Sequence, residues 1–447
     1  MRTVRPTDGM EISESVILEP GSYLLQHGLR IVGDGVTIVG TGVTLVGSNR
    51  QYTGISATGT RGVHVVGCAL TGYKQGVRVT DSQNFTLENC RAYGTDEIAP
   101  NSTFLDIWRG EEDPYGAGVL LVNCSDSSLL NNELQHQQTG VLAYQCNGLN
   151  VVGNQCNYNS GAGILINQTC DSIFEQNSCD YCCRFEQREG GLHYGHMGAD
   201  AAGFVAVNGS CRNKFIRNTA RLGGDGFFLT GMNSDGTKNG CNDNLFEQND
   251  ASLSPNIAFE ATFCERNIYR DNYADRCNFG FWCGYSKEFT IEKNRMLFNR
   301  QAGIAVENGI AFDVTGNHFQ SSKHGILLWS GGQSEYVESF PYRETCQDWT
   351  IHENTFAENW TAIRIGRDMD HGIRKLPPEK QAGISPNNIR ITKNDIQGNR
   401  TGISLDGVVN SLIQENLMSD NIAGNICLTD CEEVRVGHNL GSRGAYV

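Results

Sequence analysis

A chain of 447 residues is longer than one hydrophobic core usually sustains, so it is either several domains or an array that grows by stacking. With 53 glycines, 9 prolines and no linker separating differently patterned halves, the composition favours the array, read as one domain over 1–447. A formal charge of −15 argues against nucleic acid and anionic membrane as partners and counts against a highly anionic polysaccharide. No apolar run approaches the roughly 18 residues a spanning helix needs, and the N-terminus lacks an apolar leader. The protein is therefore expected to be soluble and cytoplasmic, or secreted if a leader has been removed.

In chain order, residues 1–50 are expected to form a cap and the first coils, because ILEPGSYLLQHGLRIVGDGVTIVGTGVTLVG (17–47) already alternates in short apolar pairs. Two motifs then recur over 51–447. The first is apolar-x-x-Asn: Asn89, Asn132, Asn154, Asn177, Asn218, Asn249, Asn272, Asn294, Asn317, Asn354, Asn394, Asn416 and Asn439. The second, between them, is Gly-apolar-x-apolar, as in GVRV (76–79), GVLL (118–121), GILI (163–166), GFFL (226–229), GFWC (280–283), GIAV (303–306) and GILL (325–328). Strand-length segments in a repeat of about 22 residues cannot bury their apolar side alone and must stack, which predicts an all-β fold. It is expected to be a single-stranded right-handed parallel β-helix of roughly 12–14 rungs. The asparagines are expected to form an inward ladder at a turn, each amide bonding its neighbour one rung away. Among the 17 cysteines, Cys124, Cys146 and Cys264 fall at the slot that Ser82 and Ser286 also occupy, so they are expected to be reduced, buried structural thiols.

Residues beyond the repeat length cluster at 101–116, 184–202, 231–241, 329–347 and 366–387, on both margins of the Gly-apolar strand, and are expected to wall a groove along that sheet. Strand alternation turns the residue between the two apolar positions outward, giving Arg78, Leu120, Leu142, Leu165, Val205, Phe228, Glu260, Trp282, Ala305, Leu327, Arg364 and Ser404. Two residues further along come Tyr144, Thr230, Thr262, Glu307, Trp329 and Asp406. Tryptophan beside carboxylate suits a sugar, which has an apolar ring face and a polar rim. Glycosidic cleavage needs two carboxyl groups about 5–9 Å apart, a separation that neighbouring rungs supply. Asp225 and Glu260 are the expected acid/base pair, with Asp200 or His196 assisting. Phe228, His193, Tyr194, Trp282, Glu307, Trp329 and Arg364 are expected to bind substrate. His193 and His196 alone do not complete an accepted metal-ligand set, and no metal or other cofactor is expected.

The repeat pattern resembles the right-handed parallel β-helix (pectin-lyase-like) superfamily with PbH1-type repeats, which includes pectate lyases, polygalacturonases, alginate epimerases and phage tailspikes. GGDGFFLTG (223–231) resembles the Asn-Thr-Asp-Gly strand of polygalacturonases, which implies a catalytic role for Asp225. Only Asp225-Gly226 matches; that family's Asp-Asp, Gly-His-Gly and Arg-Ile-Lys motifs are not at corresponding places. The expected function is a glycoside hydrolase or glycosyl-transferring relative acting on an oligo- or polysaccharide. One alternative is a polysaccharide lyase or C5-epimerase on a uronate, served by Arg184, Arg188, His193, Tyr194 and His196. The other is a tailspike-like carbohydrate-binding solenoid. A homotrimer or homodimer is compatible with all three.

Overall fold

The computed structural model describes residues 1–233, 235–332, 345–369, 371–381 and 383–441; of the side chains of residues 187, 188 and 192–196 nothing is described. The chain divides into two compact units, Met1–Phe228 and Leu229–Val447. In the first, a front sheet runs through Thr53–Thr58, Gln75–Thr80, Ala117–Val122, Thr139–Tyr144, Ile164–Asn167 and Phe204–Val207, each strand parallel to the next. Its back sheet runs through His64–Thr71, Thr86–Glu88, Ser128–Leu130, Asn150–Val152, Ile173–Glu175 and Lys214–Ile216, also parallel. The second unit repeats the plan. Its front strands are Ile257–Thr262, Phe279–Trp282, Ala302–Glu307, His324–Ser330, Thr361–Arg367, Thr401–Asp406 and Ile426–Thr429. A third short sheet begins with Arg295–Leu297 and His318–Gln320. The expected all-β right-handed parallel β-helix is what the chain forms.

In-register parallel stacking puts like side chains over like, and the core is built from those ladders. Phe174 stacks on Phe215 at 5.0 Å, Phe259 on Phe281 at 5.0 Å and Phe319 on Phe356 at 4.6 Å, close to the rung repeat. The asparagine ladder is present as expected. The Asn154 amide donates to Asn177 Oδ1 at 3.0 Å, and Asn294 to Asn317 and Asn317 to Asn354 at 3.0 Å each. Each amide also donates to a carbonyl of the preceding rung, as Asn294 does to Tyr269 at 2.9 Å, so a fully buried polar column stays satisfied. Asn89 is the exception to that reading. It sits exposed at a left-handed corner (φ 52°), and the ladder slot of its rung belongs to Cys90, whose N–H donates to Asn132. A second ladder, Ser322 to Asn359 to Asn399 to Asn421, runs at another turn of the second unit. Cys124, Cys146 and Cys264 are buried at the interior slot, as their alignment with Ser82 and Ser286 implied.

Candidate functional site

The front face of the first unit is covered. Leu120, Leu142, Val205 and Phe228, expected to look into a groove, are buried in one apolar cluster with Ile107, and Trp108 and Tyr115 of the 101–116 insertion pack against it. That insertion lies over the sheet instead of beside it, because the outward residues there are aliphatic and gain more from a cover than from water. It is pinned by a buried ion pair. Arg184 and Asp200 meet at 2.6 Å with side chains at most 1 % exposed. The same Asp200 oxygen accepts from Leu105 N–H at 2.8 Å, and Arg184 donates to the carbonyls of Thr103 and Asn101 at 2.5 and 3.3 Å.

Three expectations change accordingly. Asp200 anchors the cover and presents no carboxylate to a groove; Arg184, assigned to a uronate, is its buried counter-ion; Phe228 is part of the covered cluster. Asp225 is also fully buried (0 % exposed) in the first unit. His193, Tyr194 and His196 lie on the Gly191–His196 strand of an antiparallel hairpin with Arg184–Arg188, but their side chains are outside the described residues.

The front face of the second unit presents an aromatic and charged strip. Register sets it. Glu260, Trp282, Ala305, Leu327, Arg364 and Ser404 form one outward column, and Glu307, Trp329, Gly366 and Asp406 form the next. The Trp282 and Trp329 rings meet edge to face, with centroids at 5.6 Å and planes at 63°, and Phe279 packs on Trp282 at 4.9 Å. Ala302 and Ala305 leave room for the rings, and Met369 packs against the same cluster. Gly284 holds the place before Glu307 in its column; a methyl there would lie 3.9 Å from Trp282 Nε1 and 4.0 Å from Glu307 Cβ, so the glycine keeps a notch open between indole and carboxylate. Glu307 accepts from the Tyr285 hydroxyl at 3.0 Å, which fixes one oxygen. Trp329 is 8 % exposed, and its indole N–H has no hydrogen-bond acceptor among the described residues.

Two neighbours of this strip were not picked out from sequence, Phe279 and His324. Both stand just before the strand glycine, in a third outward column with Ala302 and Thr361. Extending the alternation one step toward the N-terminus of each strand would have found them. Burial is the main cause pushing the His324 imidazole down to about 4 from 6.5, with Arg364 and Lys323 adding to it. A histidine whose folded pKa is depressed adds stability above its unfolded pKa and loses it as pH falls toward the folded value. Urea midpoints should therefore drop between about pH 6.5 and about pH 4, and His324→Gln should flatten that part of the profile. Equal slopes for both proteins would remove His324 from the account.

The chain matches the family described as right handed beta helix region over residues 12–220 and 98–254, together more than half of its length. It belongs to that family. Residues 192–370 also match the family described as periplasmic copper-binding protein (NosD), a match that gives a cytoplasmic placement no support. Among the described residues no group of three or more His, Cys, Asp or Glu side chains is arranged to hold a metal ion. No curated protein matches the chain in sequence.

Solved structures are similar at low identity. The Dettilon tailspike protein (gp208) is 14 % identical over 71 % of this chain, with a TM-score of 0.45. The catalytic unit of a thermostable GH87 α-1,3-glucanase from Streptomyces thermodiastaticus is 13 % identical over 96 %, with a TM-score of 0.41. The Azotobacter vinelandii mannuronan C-5 epimerase AlgE4 A-module is 13 % identical over 96 %, with a TM-score of 0.36. The alignments span 62 %, 63 % and 91 % of those chains respectively. No residue role carries over from them. No helix among the described residues is long and apolar enough to cross a membrane.

Proposed function

We propose that the protein is a carbohydrate-active enzyme, a glycoside hydrolase that works on the front face of its second unit. The observation that carries this reading is the edge-to-face pair Trp282 and Trp329 with Glu260 and Glu307 in register beside them. A pyranose laid on Trp282 covers its apolar face, and its hydroxyls fall toward the two carboxyl groups. The backbones of Glu260 and Glu307 are two rungs and two residues apart, about 12 Å. Two glutamate side chains leaning toward a bound sugar shorten this to the 5–9.5 Å (roughly) that acid and base or nucleophile require. Glu307, steered by Tyr285, takes the place of Asp225 in the expected pair with Glu260.

A uronate lyase or epimerase is the second reading, favoured by Arg364 on the same column and by the neutral imidazole of His324 beside it. The two readings differ in ligand charge. Titration with neutral and uronate-containing oligosaccharides should show neutral binding weakened about tenfold or more by Trp282→Ala, with Arg364→Ala nearly silent. Uronate binding that collapses in Arg364→Ala would favour the second reading, and binding indifferent to Trp282 would remove the strip from both.

A further inference from the structure

Every cysteine in the structure is reduced, and twelve of the seventeen are buried. Several of them pair thiol to thiol on adjacent rungs. Cys68 with Cys90, Cys124 with Cys146 and Cys156 with Cys179 are hydrogen-bonded in this way inside the coil, where no oxidant reaches. One pair differs. Cys170 and Cys211 each follow an interior hydroxyl residue, Thr169 and Ser210, which fill the inward slot of their rungs. The cysteines are thereby turned to the outer side of the turn, and both are partly exposed.

Their rungs are successive. Asp171 N–H donates to Cys211 O at 3.1 Å, and Cys211 N–H donates to Cys170 Sγ at 3.3 Å. Backbones one rung apart lie about 4.8 Å from each other, inside the Cα separation of roughly 4.4–6.8 Å that a disulfide spans. Arg212, held by Asp171 through two contacts of 2.7 Å, adds positive charge beside the pair. The hydrogen bond from the Cys211 thiol, helped by that guanidinium, overcomes partial burial and brings the Cys170 thiol down to about 6. At neutral pH Cys170 is then mostly thiolate, the nucleophilic form.

We propose that Cys170 and Cys211 form a redox modification site of the first unit, a vicinal-rung dithiol that small disulfides oxidise to an intramolecular disulfide. The Cys170 thiolate attacks one sulfur of oxidised glutathione, the S–S bond breaks, and one glutathione thiolate leaves. Cys211, giving its proton to solvent, attacks Cys170 Sγ of the mixed disulfide and expels the second glutathione thiolate. The chain gives up two electrons and the Cys211 thiol proton, and the oxidant, whose two leaving thiolates take up protons from solvent, becomes two reduced glutathiones. The new bond closes a segment that contains the Arg184–Arg188/Gly191–His196 hairpin and Asp200, so it ties the rungs on either side of the cover's anchor.

The test is peptide mapping of the folded, full-length protein after exposure to oxidised glutathione and alkylation under denaturing conditions. The expected product is one cross-linked peptide pair joining Cys170 to Cys211, two hydrogens lighter than the reduced pair, with the buried cysteines alkylated only after denaturation. It should be accompanied by an upward shift in melting temperature that dithiothreitol reverses. Cys170→Ser and Cys211→Ser should each abolish the cross-link and the shift, and Cys211→Ser should instead accumulate glutathione on Cys170. Wild-type protein that carries glutathione singly on either cysteine without a cross-link, or that stays unmodified while Cys427 reacts, would overturn the proposal.

Discussion

Replacing Arg184 by methionine is expected to destabilise the first unit by about 3–5 kcal/mol, the usual cost of stranding one member of a buried ion pair. The cost arises because Asp200 loses its buried counter-ion, while the Asn101 and Thr103 carbonyls lose their donor. The 101–116 cover depends on those same bonds, so its loosening should accompany the loss. Urea unfolding measures the first effect, and amide hydrogen exchange at Leu105, whose N–H is held by Asp200, measures the second. Replacing both partners, as in Arg184→Met with Asp200→Leu, should recover much of the stability, since two apolar groups leave no charge unpaired. A single variant as stable as wild type would mean that the pair does not anchor the cover.

Glu260→Gln is expected to lower kcat by about 10²–10⁴-fold while leaving oligosaccharide affinity nearly unchanged, because the amide keeps the shape and hydrogen bonding of the side chain but moves no proton. Glu307→Gln should have a comparable effect, and Tyr285→Phe a smaller one, since it frees an oxygen of Glu307 without removing the carboxylate. Initial rates and direct titration on the same neutral substrate separate turnover from binding. Variants that lose affinity and turnover together would place these glutamates in recognition only.

The solenoid was legible because its determinants are periodic. An asparagine that must bond its counterpart one rung away, and a glycine, or an alanine as at Ala258 and Ala362, at the head of most front strands, repeat at the coil length whatever lies between. The outward columns of the second unit were legible for the same reason, and register places Glu260, Trp282 and Arg364 as alternation implied. What failed was the step from outward to accessible. Leu120, Leu142 and Phe228 do point out of the coil, but a stack of aliphatic residues signals a covered sheet, and the insertion that covers it is aperiodic. Asp200 and Asp225 were picked out by their closeness in sequence to histidines and glycines, which says nothing of burial. The Arg184–Asp200 pair joins residues whose partners in the cover lie some eighty to ninety-five positions earlier, beyond any local pattern. Asn89 shows the smaller error of this kind, a one-residue slip where two candidate positions adjoin at a corner.

On the proposed reading, the tryptophan and glutamate strip of the second unit cuts a glycosidic bond with water. Mass spectrometry of products formed by wild-type protein and by Glu260→Gln from neutral and uronate-containing glycans, in water enriched in ¹⁸O, tests this directly. The predicted result is neutral fragments carrying one ¹⁸O at the new reducing end, absent with the variant. Unsaturated uronate fragments without the label, or fragments that Glu260→Gln forms at the wild-type rate, would contradict it.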